Sequence, residues 1–151
     1  MGNHGRILAL DYGKRRIGLA LSDELGITAQ GLPTLVRTNK RSDMAMLSNL
    51  ISSWDVTRVV VGNPLHMSGE VSPLAEEASS FADLVAAHCG VEVQLWDERL
   101  TTREASRVLR ESGLRRGKRK QVVDKLAAVL ILQSYLDYLS SGGLPEAGPG
   151  A

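Results

Sequence analysis

The chain has 151 residues, 43% of them hydrophobic and 23% charged, with a formal net charge of +1, values ordinary for a soluble globular protein with one core. Its apolar runs are too short to cross a bilayer, and Met1-Gly2-Asn3-His4-Gly5 lacks the basic and apolar regions of a secretion signal. The single cysteine, Cys89, cannot form an internal disulfide and fits a reducing cytoplasm, while His4, His66 and His88 have no zinc-ligand spacing.

The chain opens on two apolar strands, Ile7–Leu10 and Ile17–Leu21, joined by the tight basic connection Gly13-Lys14-Arg15-Arg16. Strand alternation puts Ile7, Ala9 and Asp11 on one face and Leu8 and Leu10 on the other, so Asp11 continues a buried row. An ionised carboxylate there costs several kcal/mol unless a cation or hydrogen-bond donors meet it. Asp11 also stands two residues before a glycine, where a plain turn cap is an alternative. Residues 31–37 predict a third strand, at an edge because Pro33 cannot donate to a ladder.

Asn39 or Ser42 caps a helix in which Met44, Leu47, Leu50 and Ile51 share a face. Residues 58–62 form an apolar strand of the kind covered on both faces, and the stretch from Asn63 to Glu70 is a loop leaving its end. Ser72 and Pro73 start a helix through Leu74, Ala78, Phe81, Leu84 and Val85 that stops at Gly90. Residues 91–96 are a fifth strand delivering Asp97, Glu98 and Arg99. Thr101 to Glu104 matches a capping box for a helix to Glu111, ended by Gly113. Residues 114–120 have no apolar pattern and predict a mobile basic linker. Residues 122–139 form the last helix, periodic through Val123, Leu126, Leu130 and Leu136. The pattern is α/β: a five-stranded mixed sheet, its first three strands antiparallel, with helices on both faces. Residues 1–141 read as one domain and 142–151 as a disordered tail.

Charge is unevenly spread. From Arg99 to Lys120 there are nine bases (Arg99, Arg103, Arg107, Arg110, Arg115, Arg116, Lys118, Arg119, Lys120) against Glu104 and Glu111. That local excess of seven within a total of +1 leaves −6 for the rest of the chain. A basic segment in an otherwise acidic protein is a footprint for a polyanion. Arg103, Arg107 and Arg110 share one helix face and, with the linker, suit a phosphate backbone.

Three acids stand against apolar structure: Asp11 at the end of strand one, Glu98 after strand five, and Asp124 in the first turn of the last helix. Ala127 and Ala128 would let that helix approach the sheet. Carboxylates brought together require cations, and such hard oxygen donors suit Mg²⁺ or Mn²⁺. Asp124 could instead complement a helix dipole, and Glu98 could pair with Arg99 at the surface. Asp23, Asp43, Glu70 and Asp97 stay open as alternatives. If strand five alternates, Glu98 shares a face with Gln94 and Trp96, and Asp97 shares the other with Val93 and Leu95; pattern alone does not choose between them.

The blocks LALDYGKRRIGLALSD, VVVGNPLHMSG, WDERLTTREA and VDKLAAVLILQSYLD, between about Ile7 and Asp137, resemble the YqgF family of bacterial proteins, relatives of the RuvC resolvases with an RNase H-like fold. The resemblance implies that Asp11, Glu98 and Asp124 are the acidic triad, Glu98 in preference to Asp97. It implies a cytoplasmic, metal-dependent nuclease that hydrolyses phosphodiester bonds and matures the 5′ end of pre-16S ribosomal RNA, with two Mg²⁺ or Mn²⁺ ions. Lys14, Arg15 and Arg16 beside Gly13 would hold phosphate, Gly13 allowing close backbone approach. RuvC carries a glutamate after its fourth strand where this chain has Gly62-Asn63-Pro64, so the second carboxylate must come from strand five.

Two alternatives keep the fold: a Holliday-junction resolvase acting on branched DNA, and a ribosome-assembly factor that binds nucleic acid with weak or no catalysis. An actin-like or sugar-kinase-like ATPase would need a second such domain, for which the chain is too short. Monomer and homodimer are both open. With aromatics at 4% of the chain, base stacking is a poor source of specificity, and the shape of the nucleic acid is the better one.

Overall fold

The computed structural model of the chain describes residues 5–63, 71–97 and 116–142, without the side chains of residues 116–125. In chain order the elements are β1 (Arg6–Asp11), β2 (Arg16–Ser22), β3 (Ala29–Val36), α1 (Lys40–Ser53), β4 (Val56–Asn63), α2 (Pro73–Cys89), β5 (Glu92–Asp97) and α3 (Arg116–Ser140). The strands form one sheet in the order β3-β2-β1-β4-β5, antiparallel across β3-β2-β1 and parallel across β1-β4-β5. This is the mixed α/β sheet read from the sequence, and Pro33 lies in an edge strand as expected.

β1 occupies the middle of the sheet because both of its faces are apolar. Leu8 and Leu10, with Val59, Val61 and Val93, pack against Met44, Leu47 and Ile51 of α1 and Ala78, Phe81, Ala82 and Val85 of α2. On the other face Ala9, Ala20 and Val60 lie under Ala128, Ile131, Leu132, Tyr135 and Leu136 of α3. Two alanines on that face admit the large residues of the helix, so small and large side chains interdigitate.

The helix ends follow their sequence signals. Asn39, not Ser42, caps α1, its side chain accepting from the Ser42 N–H at 2.9 Å. Ser72 caps α2 by accepting from the Ala75 N–H at 3.0 Å, Pro73 takes the first turn, and Gly90 ends it at φ 65°. A glycine is favoured there because a Cβ disfavours the left-handed region.

Several boundaries differ from the sequence reading; β4, for one, begins at Val56, two residues before Arg58. β3 begins at Ala29, two residues before Gly31. More consequentially, α3 begins at Arg116, so Arg116, Lys118, Arg119 and Lys120 are helical rather than part of a mobile linker. Arginine, lysine and glutamine are good helix formers and need no apolar stripe to extend a helix that packing has already nucleated. The helix predicted over 101–111, the first two linker residues, the loop beyond Asn63 and the tail from 143 lie outside the described residues. Among the described residues no helix is long and apolar enough to cross a membrane.

The close seating of α3 on β1 has a direct consequence. Ala9→Leu adds three carbons beneath Ile131 and Tyr135 and should cost about 1–3 kcal/mol by overpacking, seen as a lower urea midpoint at unchanged slope.

Candidate active site

β1, β4 and β5 run parallel and finish on one edge. Their register pairs Leu10 with Val61, Gly62 with Trp96 and Asn63 with Asp97. Asp11 is the last residue of β1, half-buried, on the face of Ala9 and therefore the face covered by α3. Its partner on β2 is Gly18, and one step past the Leu10–Val61 pair the position beside it on β4 is Gly62. Glycines thus flank Asp11 on both neighbouring strands, so neither strand sets a side chain directly opposite the carboxylate. Asp11 nonetheless has an interaction within the fold.

α3 runs opposite to β1. Leu136, Leu139 and Ser140 line a cavity of about 600 Å³ with Gly5, Ile7, Thr57, Arg58 and Glu92, at the amino edge of the parallel strands. Further back along the helix, Ala128 and Ile131 belong to the cluster containing Ala9, Ala20 and Val60, so the earlier turns of α3 are directed toward the carboxyl edge where Asp11 sits. Residue 124 precedes Ala128 by one turn. Because α3 starts at Arg116, Asp124 lies in the third turn, not the first, and the favourable helix-dipole effect, which fades within the first turn, does not account for it. The Asp124 side chain and all of Glu98 lie outside the described residues.

β5 alternates as its sequence suggests. Gln94 faces α3, its Oε1 accepting from the Tyr135 hydroxyl at 3.0 Å, and the Trp96 indole N–H donates to Ser134 Oγ at 3.3 Å. Val93 and Leu95 pack on the α1/α2 side. Asp97 therefore occupies the face opposite Asp11. Two other acids have structural roles. Asp23 accepts from the Ile27 and Thr28 N–H groups at 2.7 and 3.2 Å in the β2–β3 turn, and those donors, Ile27 foremost, hold its carboxyl below the usual range. Asp43 is buried and accepts from Arg37 and from the Thr38 N–H. Glu70 lies outside the described residues.

The turn after Asp11 carries Lys14 and Arg15, both exposed, and leads into half-buried Arg16 at the start of β2. Lys14 Nζ is 3.6 Å from Glu77 Oε2 at the surface. A Cβ on Gly13 would fall on the carbonyl oxygen of Arg16, so the glycine is already required by the turn itself, independently of any phosphate. Of the other predicted bases, Arg99, Arg103, Arg107, Arg110 and Arg115 lie outside the described residues; Arg116, Lys118, Arg119 and Lys120 are in the opening turns of α3, their side chains undescribed. No three His, Cys, Asp or Glu residues among those described could hold a metal ion together.

Sequence reasoning missed Arg37, just past β3, which sits against the rings of Tyr12 and Phe81 and donates to Tyr12, Gly13 and Asp43. A lone arginine between Val36 and Thr38 carries no periodic signal, and its partners are remote in sequence. Burial opposes its charge, but the hydrogen bonds and Coulombic attraction of Tyr12 and Asp43 outweigh it and hold its pKa above the ordinary arginine value.

Residues 5–138 match the family described as RuvX: Holliday junction resolvase. A protein of Koribacter versatilis named "Putative pre-16S rRNA nuclease" is 54% identical over 134 residues, covering 89% of this chain and 88% of its own. One of the same name from Syntrophus aciditrophicus is 48% identical over 141 residues, 93% and 94% of the two chains. Among solved structures, that titled "T. thermophilus RuvC in complex with Holliday junction substrate" has a TM-score of 0.57 at 19% identity, covering 94% of this chain and 99% of that one. At such identity the likeness is one of fold, and it agrees with the RNase H-like architecture implied by the sequence motifs. The motifs, the sheet topology and the extent of the match lead to one conclusion: the chain belongs to the RuvX family.

Proposed function

We propose that this protein is a metal-dependent endonuclease that hydrolyses phosphodiester bonds in RNA, with Asp11, Glu98 and Asp124 as its acidic triad and the 5′ end of pre-16S ribosomal RNA as its substrate in the cytoplasm. The observation that carries the reading is Asp11 itself: a half-buried carboxylate at the carboxyl edge of the parallel strands, glycine on either side, under a helix whose early turns run toward it. The names of the RuvX relatives from Koribacter and Syntrophus support the substrate. Glu98 over Asp97 is supported by the alternation of β5, which assigns Asp97 to the face away from Asp11.

The donor chemistry fits a hard divalent ion, since three carboxylates offer only oxygen. Asp11, Glu98 and Asp124 would hold Mg²⁺ or Mn²⁺, which would supply acidification of a water and charge compensation for the phosphoryl group. The chain's own part is to fix geometry and bind the polyanion. Lys14, Arg15 and Arg16 hold the phosphates next to the scissile one, and the bases from Arg99 to Lys120 follow the backbone beyond. Water oxygen bonds to phosphorus as the bond to the 3′ oxygen breaks; the 3′ oxygen takes up a proton, leaving a 3′-hydroxyl and a 5′-phosphate.

The family description favours a second substrate, the four-way DNA junction. Labelled pre-16S precursor and four-way junction, incubated side by side with Mg²⁺, Mn²⁺ or chelator, separate the two: cleavage of the precursor alone, abolished by chelator, is the expected outcome, and cleavage of the junction alone would reverse the assignment. Junction resolution acts on two symmetric strands and would be accompanied by a dimer in solution.

Asp11→Asn should bind RNA as the parent does and lose cleavage by ~10³-fold, the several kcal/mol of charge stabilisation that a metal clamp supplies. Glu98→Gln should behave likewise, whereas Asp97→Asn should retain most of the rate; equal losses at 97 and 98 would reject the triad. Arg15→Ala should weaken RNA binding to a similar degree across sequences and reduce the salt dependence of log K by about one phosphate contact, measured by titration from low to physiological salt.

A further inference from the structure

One residue grips the turn after Asp11 from two directions. The Arg37 main-chain N–H donates to the Arg15 carbonyl at 2.9 Å, and its guanidinium donates to the Tyr12 hydroxyl at 2.8 Å and the Gly13 carbonyl at 3.2 Å. On its other side the guanidinium Nε meets Asp43 Oδ2 at 3.2 Å, and the Thr38 N–H donates to Asp43 Oδ1 at 3.2 Å. The rings of Tyr12 and Phe81 lie 5.0 and 5.2 Å from the guanidinium carbon. The pair is largely withdrawn from water, with side chains 15% and 2% exposed. A planar fork can serve a phenol, a carbonyl and a carboxylate at once; the compact ammonium of a lysine cannot.

We propose that Arg37 is a positioning residue for phosphodiester hydrolysis: it clamps the turn of residues 12–15 to the start of α1, so that Asp11 and the bases Lys14 and Arg15 meet one phosphate backbone in a fixed relation. This rests on the nuclease reading above. Stability is a poor reason for such an arrangement, because withdrawing an Arg–Asp pair from water consumes most of what the pair returns. Geometry is a better one. The hydrogen bonds of Arg37 end on the residues immediately following Asp11, and misplacement of reacting groups by 1 Å can lower a rate by about 10²-fold.

The turn offers its own readout, since Lys14, Arg15 and Arg16 are consecutive trypsin sites. Arg37→Lys keeps a positive charge opposite Asp43, and Ile51→Val, in the core of α1, serves as a variant of lowered stability remote from the turn. Arg37→Met combined with Asp43→Asn covers the case in which Arg37→Lys fails to fold. Tryptic fragments assigned by mass spectrometry should show cleavage after residues 14–16 accelerated ~10-fold in Arg37→Lys through local opening of the turn. With precursor RNA its kcat should fall by about tenfold or more while KM changes less, and Ile51→Val should show neither effect. A turn cut no faster than in the parent, or cut faster with kcat intact, would overturn the proposal. A parent protein that cleaves no RNA under any metal condition would sink the nuclease reading instead, and the tryptic arm would still decide whether Arg37 holds the turn.

Discussion

Everything at the carboxyl edge depends on β1 being buried on both faces with its odd residues toward α3. Leu8 and Leu10 fit the α1/α2 side and Ala9 fits beneath α3, and because side chains alternate, this choice also determines where Asp11 points. A slip of one residue would exchange the two faces. It would press the leucines against α3 and turn Asp11 toward the larger apolar cluster, where an ionised carboxylate costs several kcal/mol without a partner. The packing of three small or medium apolar residues therefore selects the direction of the one charged residue that ends the strand.

The placement of α3 along the sheet has its own anchor. Tyr135, buried, donates to Gln94, and Gln94 Oε1 lies 3.5 Å from Arg58 Nη1, which belongs to the guanidinium paired with Glu92 at 2.7 Å. Burial pushes the Tyr135 phenol up, so it remains a donor throughout the physiological range. The Gln94 amide nitrogen has no partner among the described residues, a vacancy that ordinarily costs about 1–3 kcal/mol. A half-satisfied amide is retained where its satisfied half fixes something, and here it ties the helix to β5 while Trp96 and Ser134 add a second tie at the adjacent helix residue. With the helix anchored at residues 134 and 135, the position of its early turns follows from a rise of about 1.5 Å per residue.

Much of this was legible in the sequence because it is written in short-range chemistry. Alternation around Asp11, the Asn39 and Ser72 caps, Gly90 as a stop and Pro33 at an edge each follow from residues within one turn or one strand. The start of α3 was not legible, because Arg116 to Lys120 carries no apolar stripe and its helicity is inherited from the packed turns downstream. Arg37 was not legible either: its partners Tyr12 and Gly13 are 25 and 24 residues away, and only the antiparallel return of β3 beside β2 brings them together. Asp43 and Asp23, which sequence left open as acids of interest, are accounted for by the turns and pairs that they hold.

The glycine at position 62 bears on which acid can join Asp11 in the proposed triad. β4 lies between β1 and β5, and on the α3 face the row runs from Asp11 past Gly62 to Trp96. An acid supplied from the β5 side must therefore span two strand spacings, about 10 Å, across a position with no side chain. A glutamate, longer by one methylene than an aspartate, is the better donor over such a span, and Gly62 leaves room beside Asp11 that a larger residue would fill. In the proposed triad, Gly62 would leave space on β4 and the reach would fall to Glu98, the residue that follows β5.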